Sequence, residues 1–396
     1  MFQALFNSLS GLFSFSRALD TVSNNVANMN TPGFRGSDTF FENIGGEFGT
    51  RIAGQGVRTT PGSLSHTGTP TDLAITGNGY FVLQDASGNL YYTRAGQFRF
   101  NDKGLLTDSA TGYDVMSVDG SGNLLPIDLT SYRTLPGQQT TKVSLTGNIQ
   151  PGATPPNGSG PYQPSPDVIV PDVQIFDASG GPHALKITVS DNFIASGVQG
   201  SFLVTVMDGS TQVGTGTIGF DGLGAMIPGS NTVALNLTYK GTPQAVTLSF
   251  GSGYTGSTTS LGGASSVAGQ AVDGRAPLGI STLSFDVNGV LQLQYSSSAT
   301  KQGPQVALAS FSSDDALQMI GGRLVAGSSV QQHVFGHPGA GVFGTITGGS
   351  LELSNVDLTQ EFAQMIIIQR GYQASSKVMT VSNQMIEQLY SGQSGG

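Results

Sequence analysis

The sequence predicts a mainly β protein framed by an α-helix at each end, and three observations predict it. Apolar residues recur every seven positions at both ends of the 396-residue chain. Between the ends, short apolar runs alternate with Gly, Asn and Asp turn signals, and Gly is very frequent at 58 residues. Two low-complexity stretches, 147–166 and 250–270, divide that β material.

In the opening FQALFNSLSGLFSFSRALDTVSNNVAN, Leu5, Leu12, Leu19 and Val26 are seven apart. Phe2 and Leu9 supply the alternate seam position, which Ser16 and Ser23 continue as small residues, and Phe6 and Phe13 widen the stripe. This is a heptad helix of roughly 25 residues, about 40 Å long. It ends in NNVANMNTPGF, residues 24–34, where asparagines suit caps and turns and Pro32–Gly33 bends the chain so that Phe34 can anchor it. If these asparagines serve the assembled state, Asn25→Ala and Asn28→Ala should weaken a polymer more than its monomer.

The closing segment repeats the pattern more strongly. Leu358, Met365, Tyr372, Met379 and Ile386 are seven apart, flanked by Phe362, Ile366, Ile368 and Leu389. Asp357 is the expected N-cap with Gln360 as its capping-box partner, and Gly392 the expected stop, for a helix of roughly 35 residues. Small residues (Ser16, Ser23, Ser375, Ser376) permit the two helices to pair closely. The first helix does not hold its fold alone, because burial of its stripe falls short of the entropy of ordering the segment. Ends that order on association, carried on a rigid β body, describe a self-assembling subunit.

The middle reads as strand and turn. LAITGNGYFVLQDASGNLYYTRAGQFRFNDKGLL carries hairpin signals at Gly77–Asn78 and Gly88–Asn89. The organisation is nested. Terminal helices occupy 1–34 and 352–396, an inner discontinuous β domain 35–145 and 286–351, and an inserted outer β domain 146–285.

Composition restricts the chemistry. Only 10% of residues are charged, the net charge is −9, and no run of Lys or Arg provides a nucleic-acid footprint. With no Cys, disulfides, thiolate metal sites and cysteine nucleophiles are excluded. No apolar run is long enough to span a membrane, and the first residues lack the pattern of a cleaved secretory signal. No metal, cofactor or catalytic site is expected. His333 and His337 sit in a loop broken by Gly336, Pro338 and Gly339, far from His66 and His183 in sequence. The GQSGG at 392–396 follows a helix, where a nucleophile elbow needs a strand before it. Asp314 and Asp315 are adjacent, whereas paired-carboxylate chemistry needs carboxylates that converge from different elements, which sequence does not show. The GNG at 77–79 reads as a hairpin turn, and Tyr91, Tyr92, Phe98 and Phe100 as strand packing.

Three ordered motifs carry a resemblance. The NNVAN of 24–28 (Asn24, Asn25, Asn28), followed by Thr31, Gly33, Phe34 and Arg35, is similar to the signature of bacterial flagellar rod and hook proteins. LELSNVDLTQEF at 351–362 (with Ser354, Asn355 and Asp357) and QRGYQASSKV at 369–378 (Gln369, Arg370, Tyr372) resemble that family's terminal motif. DLAITGNGYFVL, YTRAGQFRF and DKGLLTDSATGYDV resemble its shared β domain. Length and the large insert resemble the hook members; in the distal rod members an added stretch follows the first helix, for which 37–71 is short.

The resemblance implies a homopolymer, a curved hollow tube joining rod and filament. Its contacts would include Leu5, Leu9, Leu12, Leu19, Val26, Leu358, Phe362, Met365, Tyr372, Met379 and Ile386. It further implies a distal rod protein, a hook cap protein and a hook–filament junction protein as partners, and export through the flagellar type III apparatus to an extracellular hook. On this view Leu12→Asp or Met365→Lys leaves the β body folded but blocks assembly.

Overall fold

A computed structural model describes residues 2–45, 49–153, 161–259, 263–311, 318–320, 323–326 and 333–393. Asp314, Asp315 and the last three residues of GQSGG lie outside them. The protein forms two compact units, one of Met1–Arg133 with Ile280–Gly396, the other of Thr134–Gly279.

The first unit holds both helices. Its main sheet is centred on Tyr80–Gln84, which lies between Leu90–Thr93 and Asp114–Val118. YFVLQ is nearly all apolar because both faces of this strand are covered. Phe81, Val82 and Leu83 are fully buried, and Phe81 meets Phe98 edge-to-face at 5.0 Å. Two short pairings close the discontinuous fold. Leu73–Thr76 joins Thr345–Gly348, and Leu64–His66 joins Ser350–Glu352, from which the backbone enters the last helix.

The second unit is a sandwich. A four-stranded antiparallel sheet (Val168–Phe176, Pro182–Asp191, Ser201–Asp208, Thr211–Gly219) alternates buried and exposed residues along its strands. It shares one core with a six-stranded sheet through Ile187, Val204, Leu145, Leu235 and Phe250. That second sheet includes Lys142–Ile149, paired with Thr255–Thr259 and Ser266–Ala271. Within the stretch 250–270, expected to divide the β material, 255–259 and 266–270 are therefore strands of this sheet. Their small Gly, Ser and Thr side chains weaken the apolar alternation by which strands are recognised. The unit runs from 134 to 279, against the expected 146 to 285.

One turn recurs through both units. Asp85, Asn101, Asp119, Asp177, Asp221 and Asp286 each accept, through Oδ1, the backbone N–H groups two and four residues on. The fourth residue is each time a glycine at φ between 72° and 88°, which L side chains disfavour. Gly77–Gly79 is different. The strand before it pairs with Thr345–Gly348 and the strand after it with Leu90–Thr93, so it is a corner between two sheets, and the expected hairpin is corrected. Gly344 approaches so closely that a Cβ on Gly77 would lie 3.1 Å from its Cα.

Candidate functional site: the junction of the terminal helices

The helices span Phe2–Ala27 and Leu358–Gln393. The second passes through Gly392 and ends one residue beyond it; a glycine weakens a final helical turn without forbidding it. Asp357 caps its start, accepting from Thr359 N–H at 2.7 Å and Gln360 N–H at 3.2 Å. Those bonds, Gln360's first, lower the Asp357 carboxyl pKa. The helices run antiparallel, with Asn25 meeting Glu361 and Gly11 meeting Ser375. A Cβ on Gly371 would fall 2.6 Å from Phe15 Cζ, so the ring sits directly on the glycine, and close packing offsets its helix cost of about 1 kcal/mol.

The face that the first helix buries is not the leucine heptad. Ser8, Gly11, Ser14, Ala18, Thr21, Val22 and Asn25 are buried, whereas Leu5, Leu9, Leu12, Leu19 and Val26 are half-buried flanks. Of the small residues expected at the close approach, Ser16, Ser23 and Ser376 are exposed, and Ser375 makes it together with Gly11 and Gly371. The buried hydroxyl stripe has a further partner. A hairpin of Ser37–Asn43 and Thr50–Val57 lies along the helix. Ser14 Oγ donates to Thr50 C=O, Ser10 Oγ accepts from Thr50 N–H, and Thr21 Oγ1 accepts from Gln55 Nε2 at 2.8 Å. Hydroxyl residues between the heptad positions thus dock a hairpin.

Leu358, Met365, Met379 and Ile386 of the last helix are likewise half-buried, while Phe362, Ile366, Ile367, Tyr372 and Leu389 are exposed. On the first helix Phe13 is 65% exposed and Phe6 62%. No helix among the described residues is long and apolar enough to cross a membrane.

Where the helices meet the β body, several of this protein's scarce charges come together. Asn25 is wholly buried. Its Nδ2 donates to Ser37 C=O at 2.9 Å and to Glu361 Oε2 at 3.1 Å, and its Oδ1 accepts from Ser37 N–H at 3.0 Å. Buried Glu361 pairs with Arg58 at 2.6 Å, and Arg58 also forks onto Asp38. The Asp38 bond, then Glu361, raises the Arg58 pKa above its ordinary value against the opposing effect of burial. Buried Glu352 lies between Arg35 (3.6 Å) and Arg94 (3.4 Å), and both guanidiniums face the Tyr80 ring. Asn355 accepts from Gly36 N–H and donates to the carbonyls of Arg58 and Thr60. Gly33 stands at φ +69°, its N–H on Glu352 C=O, and a Cβ there would lie 2.3 Å from Ala95 N. Phe34 is buried beside it.

The two terminal motifs are thus brought together. Asn25, Gly33, Phe34, Asn355 and Asp357 lie in or at this junction. Asn24, Asn28 and Thr31 form a local cap, with Asn28 Nδ2 donating to Asn24 C=O at 2.9 Å and Thr31 Oγ1 to Asn28 Oδ1 at 3.2 Å. Ser354 Oγ accepts from Val356 N–H, and Gln369 and Arg370 are exposed on the helix. Glu352, Glu361, Arg58 and Arg94 were not singled out from sequence; the signal was rare charge placed within or near the motifs.

The other candidates are packing residues. Tyr92 and Phe98 are buried, and Tyr91 stacks on Tyr113 at 5.0 Å. His333 begins a strand rather than lying in a loop, its ring against Phe335 at 4.9 Å.

Three family models match this chain in order. "Flagella basal body rod protein" covers 5–35, "Flagellar hook protein FlgE/F/G D1 domain" 74–151, and "Flagellar basal body rod FlgEFG protein C-terminal" 347–391. The chain is 29% identical to the flagellar hook protein FlgE of Rhizobium meliloti, over 96% of each protein. It is 28% identical to that of Escherichia coli K12, over 98% of this chain and 99% of the relative. The crystal structure of Helicobacter pylori flagellar hook protein FlgE2 superimposes with a TM-score of 0.42 at 15% identity, covering 72% of this chain and 98% of that one. The outer two family segments contain the junction's Asn25, Gly33, Glu352 and Glu361, and hook proteins align along nearly the whole length, so the chain is similar to flagellar rod and hook proteins from end to end.

Proposed function

We infer that this protein is the structural subunit of a flagellar hook, copies of which polymerise into a curved hollow tube that serves as a universal joint between rod and filament. The observation that carries the contact mode is the unpartnered apolar surface of the helix pair. Phe6, Phe13, Phe362, Ile366, Ile367 and Leu389 stand exposed on helices whose opposite faces are already packed. Covering that surface with neighbouring copies is the ready means of removing it from water. The heptad residues Leu5, Leu9, Leu12, Leu19, Val26, Leu358, Met365, Tyr372, Met379 and Ile386 form the flanks of this contact.

In this reading the inner β domain forms the tube wall and the inserted domain the outer surface. The distal rod protein, hook cap protein and hook–filament junction protein are the expected neighbours, and the flagellar type III apparatus the export route to the cell exterior. The family is a structural one, and no catalytic step is part of the proposal.

Because Leu12 and Met365 are half-buried in the monomer itself, the discriminating substitutions are at the exposed Phe13 and Ile367. Phe13→Asp and Ile367→Lys should leave monomer melting unchanged and abolish tubes under the electron microscope. Normal tubes from both variants would overturn the contact assignment. Straight tubes from the parent protein would favour a distal rod subunit instead.

A further inference from the structure

We propose that Asn78 is a site of spontaneous covalent modification, where its carboxamide closes onto the Gly79 amide nitrogen and is converted to aspartate and isoaspartate, while the same dipeptide at Asn288–Gly289 is slowed by its fold.

In this reaction a solvent base removes the Gly79 amide proton and the nitrogen attacks Asn78 Cγ. The bond from Cγ to Nδ2 breaks, and that nitrogen leaves as ammonia with a proton from solvent. Water then opens the five-membered imide at either carbonyl. One water is consumed and one ammonia released, with no change of oxidation state.

Several features of the surroundings favour ring closure. Asn78 is exposed, and Gly79, although buried as Gly289 also is, presents no side group against it. Gly79 N–H has no hydrogen-bond partner among the described residues, so nothing must break before it is deprotonated. Gly344 N–H donates to Asn78 C=O at 2.8 Å, and this carbonyl belongs to the same peptide group as the Gly79 N–H. The bond withdraws electron density and stabilises the deprotonated amide. Arg94 Nη2 donates to Gly77 C=O at 2.8 Å, setting a cation one peptide away, which favours an anion there.

Asn288–Gly289 is a natural control. Its carbonyl is also bonded, by Gln305 Nε2 at 2.8 Å. Its Gly289 N–H, however, donates to Asp286 C=O at 2.9 Å, and Asn288 N–H to Asp286 Oδ1. Gly289 packs so tightly that a Cβ would lie 2.9 Å from Pro338 Cγ. The turn must open before the ring can close. A third pair, Asn157–Gly158, lies outside the described residues.

The test is peptide mapping by mass spectrometry of the full-length protein held in mildly alkaline buffer, with aspartate and isoaspartate peptides separated by elution. In the folded protein Asn78 should deamidate about tenfold faster than Asn288, the factor for one retained hydrogen bond. In urea, where neither environment survives, the two rates should converge. Equal rates in the folded protein, or a faster Asn288, would overturn the proposal. So would an Asn78 preference that persists in urea, because the fold would then not be its cause. None of these outcomes depends on whether the protein polymerises.

Discussion

Truncating Asn25 is the sharpest perturbation of the junction. Asn25→Ala removes two donated bonds and one accepted bond from a site with 0% exposure. Ser37 loses partners for both its N–H and its C=O, and Glu361 loses a donor while keeping Arg58. An unsatisfied buried group costs about 1–3 kcal/mol. Ser37 is only half-buried and water can partly replace its bonds, so the low end applies to it. The expected loss is about 2–4 kcal/mol in docking of the first helix. The assay is native-state amide exchange of Val22–Ala27 in the monomer, which reads local opening directly. Asn28→Ala, whose donated bonds are exposed and whose accepted bond is only part-buried, should cost less than about 1 kcal/mol. An Asn25→Ala change within about 0.5 kcal/mol of the parent would refute the reasoning. So would similar losses from both variants. This differs from the sequence expectation, in which both asparagines mattered mainly to the polymer: Asn25 is a monomer residue first.

Other outcomes follow from the same structure. Gly33→Ala forces a methyl group into backbone at +69° and should cost about 3 kcal/mol or more, read as a fall in monomer melting temperature; an unchanged melt would contradict the close approach. Gly371→Ala should displace the Phe15 ring, and an unperturbed ring resonance in NMR would refute that contact. The carboxyls of Asp85 and Asp119 are held below their ordinary range by bonds from Asn89 and Asn123. Their contribution is therefore present above the unfolded value near pH 4, and it fades as pH falls through the folded values. Urea midpoints should drop below about pH 4. Asp85→Asn with Asp119→Asn should flatten that drop while the fold survives, because Asn101 already closes the same turn with a neutral amide. A steeper drop would count against it.

Much of this architecture is legible in the sequence. The two helices announce themselves because seven-residue spacing admits few other readings, and Asp357 caps as its position predicts. What could not be read was which side of each helix faces inward. Ser8, Gly11 and Ala18 are bland in sequence. They lie inside only because Ser375 and the hairpin of 37–57 come close enough to need small residues, and the approach of the last helix is set by residues more than 300 positions away. The strands of 250–270 escaped for the opposite reason, since sheet pairing there rests on backbone bonds rather than an apolar face. Glu352 and Glu361 stood inside the terminal motif, but their roles depend on Arg94 and Arg58 converging from separate parts of the fold.

The recurring aspartate turn has a kinetic consequence. Each copy closes over four residues, so its hairpin can form on the order of 1–10 μs without help from distant segments. The Asn25–Glu361 bond spans 336 residues and can form only after the intervening loop has been closed by everything else. A polypeptide emerging unfolded would thus acquire its aspartate-turn hairpins first and its helix junction late. The order of events leaves the terminal segments uncommitted until late, when they can still choose between their own partner and a neighbour's.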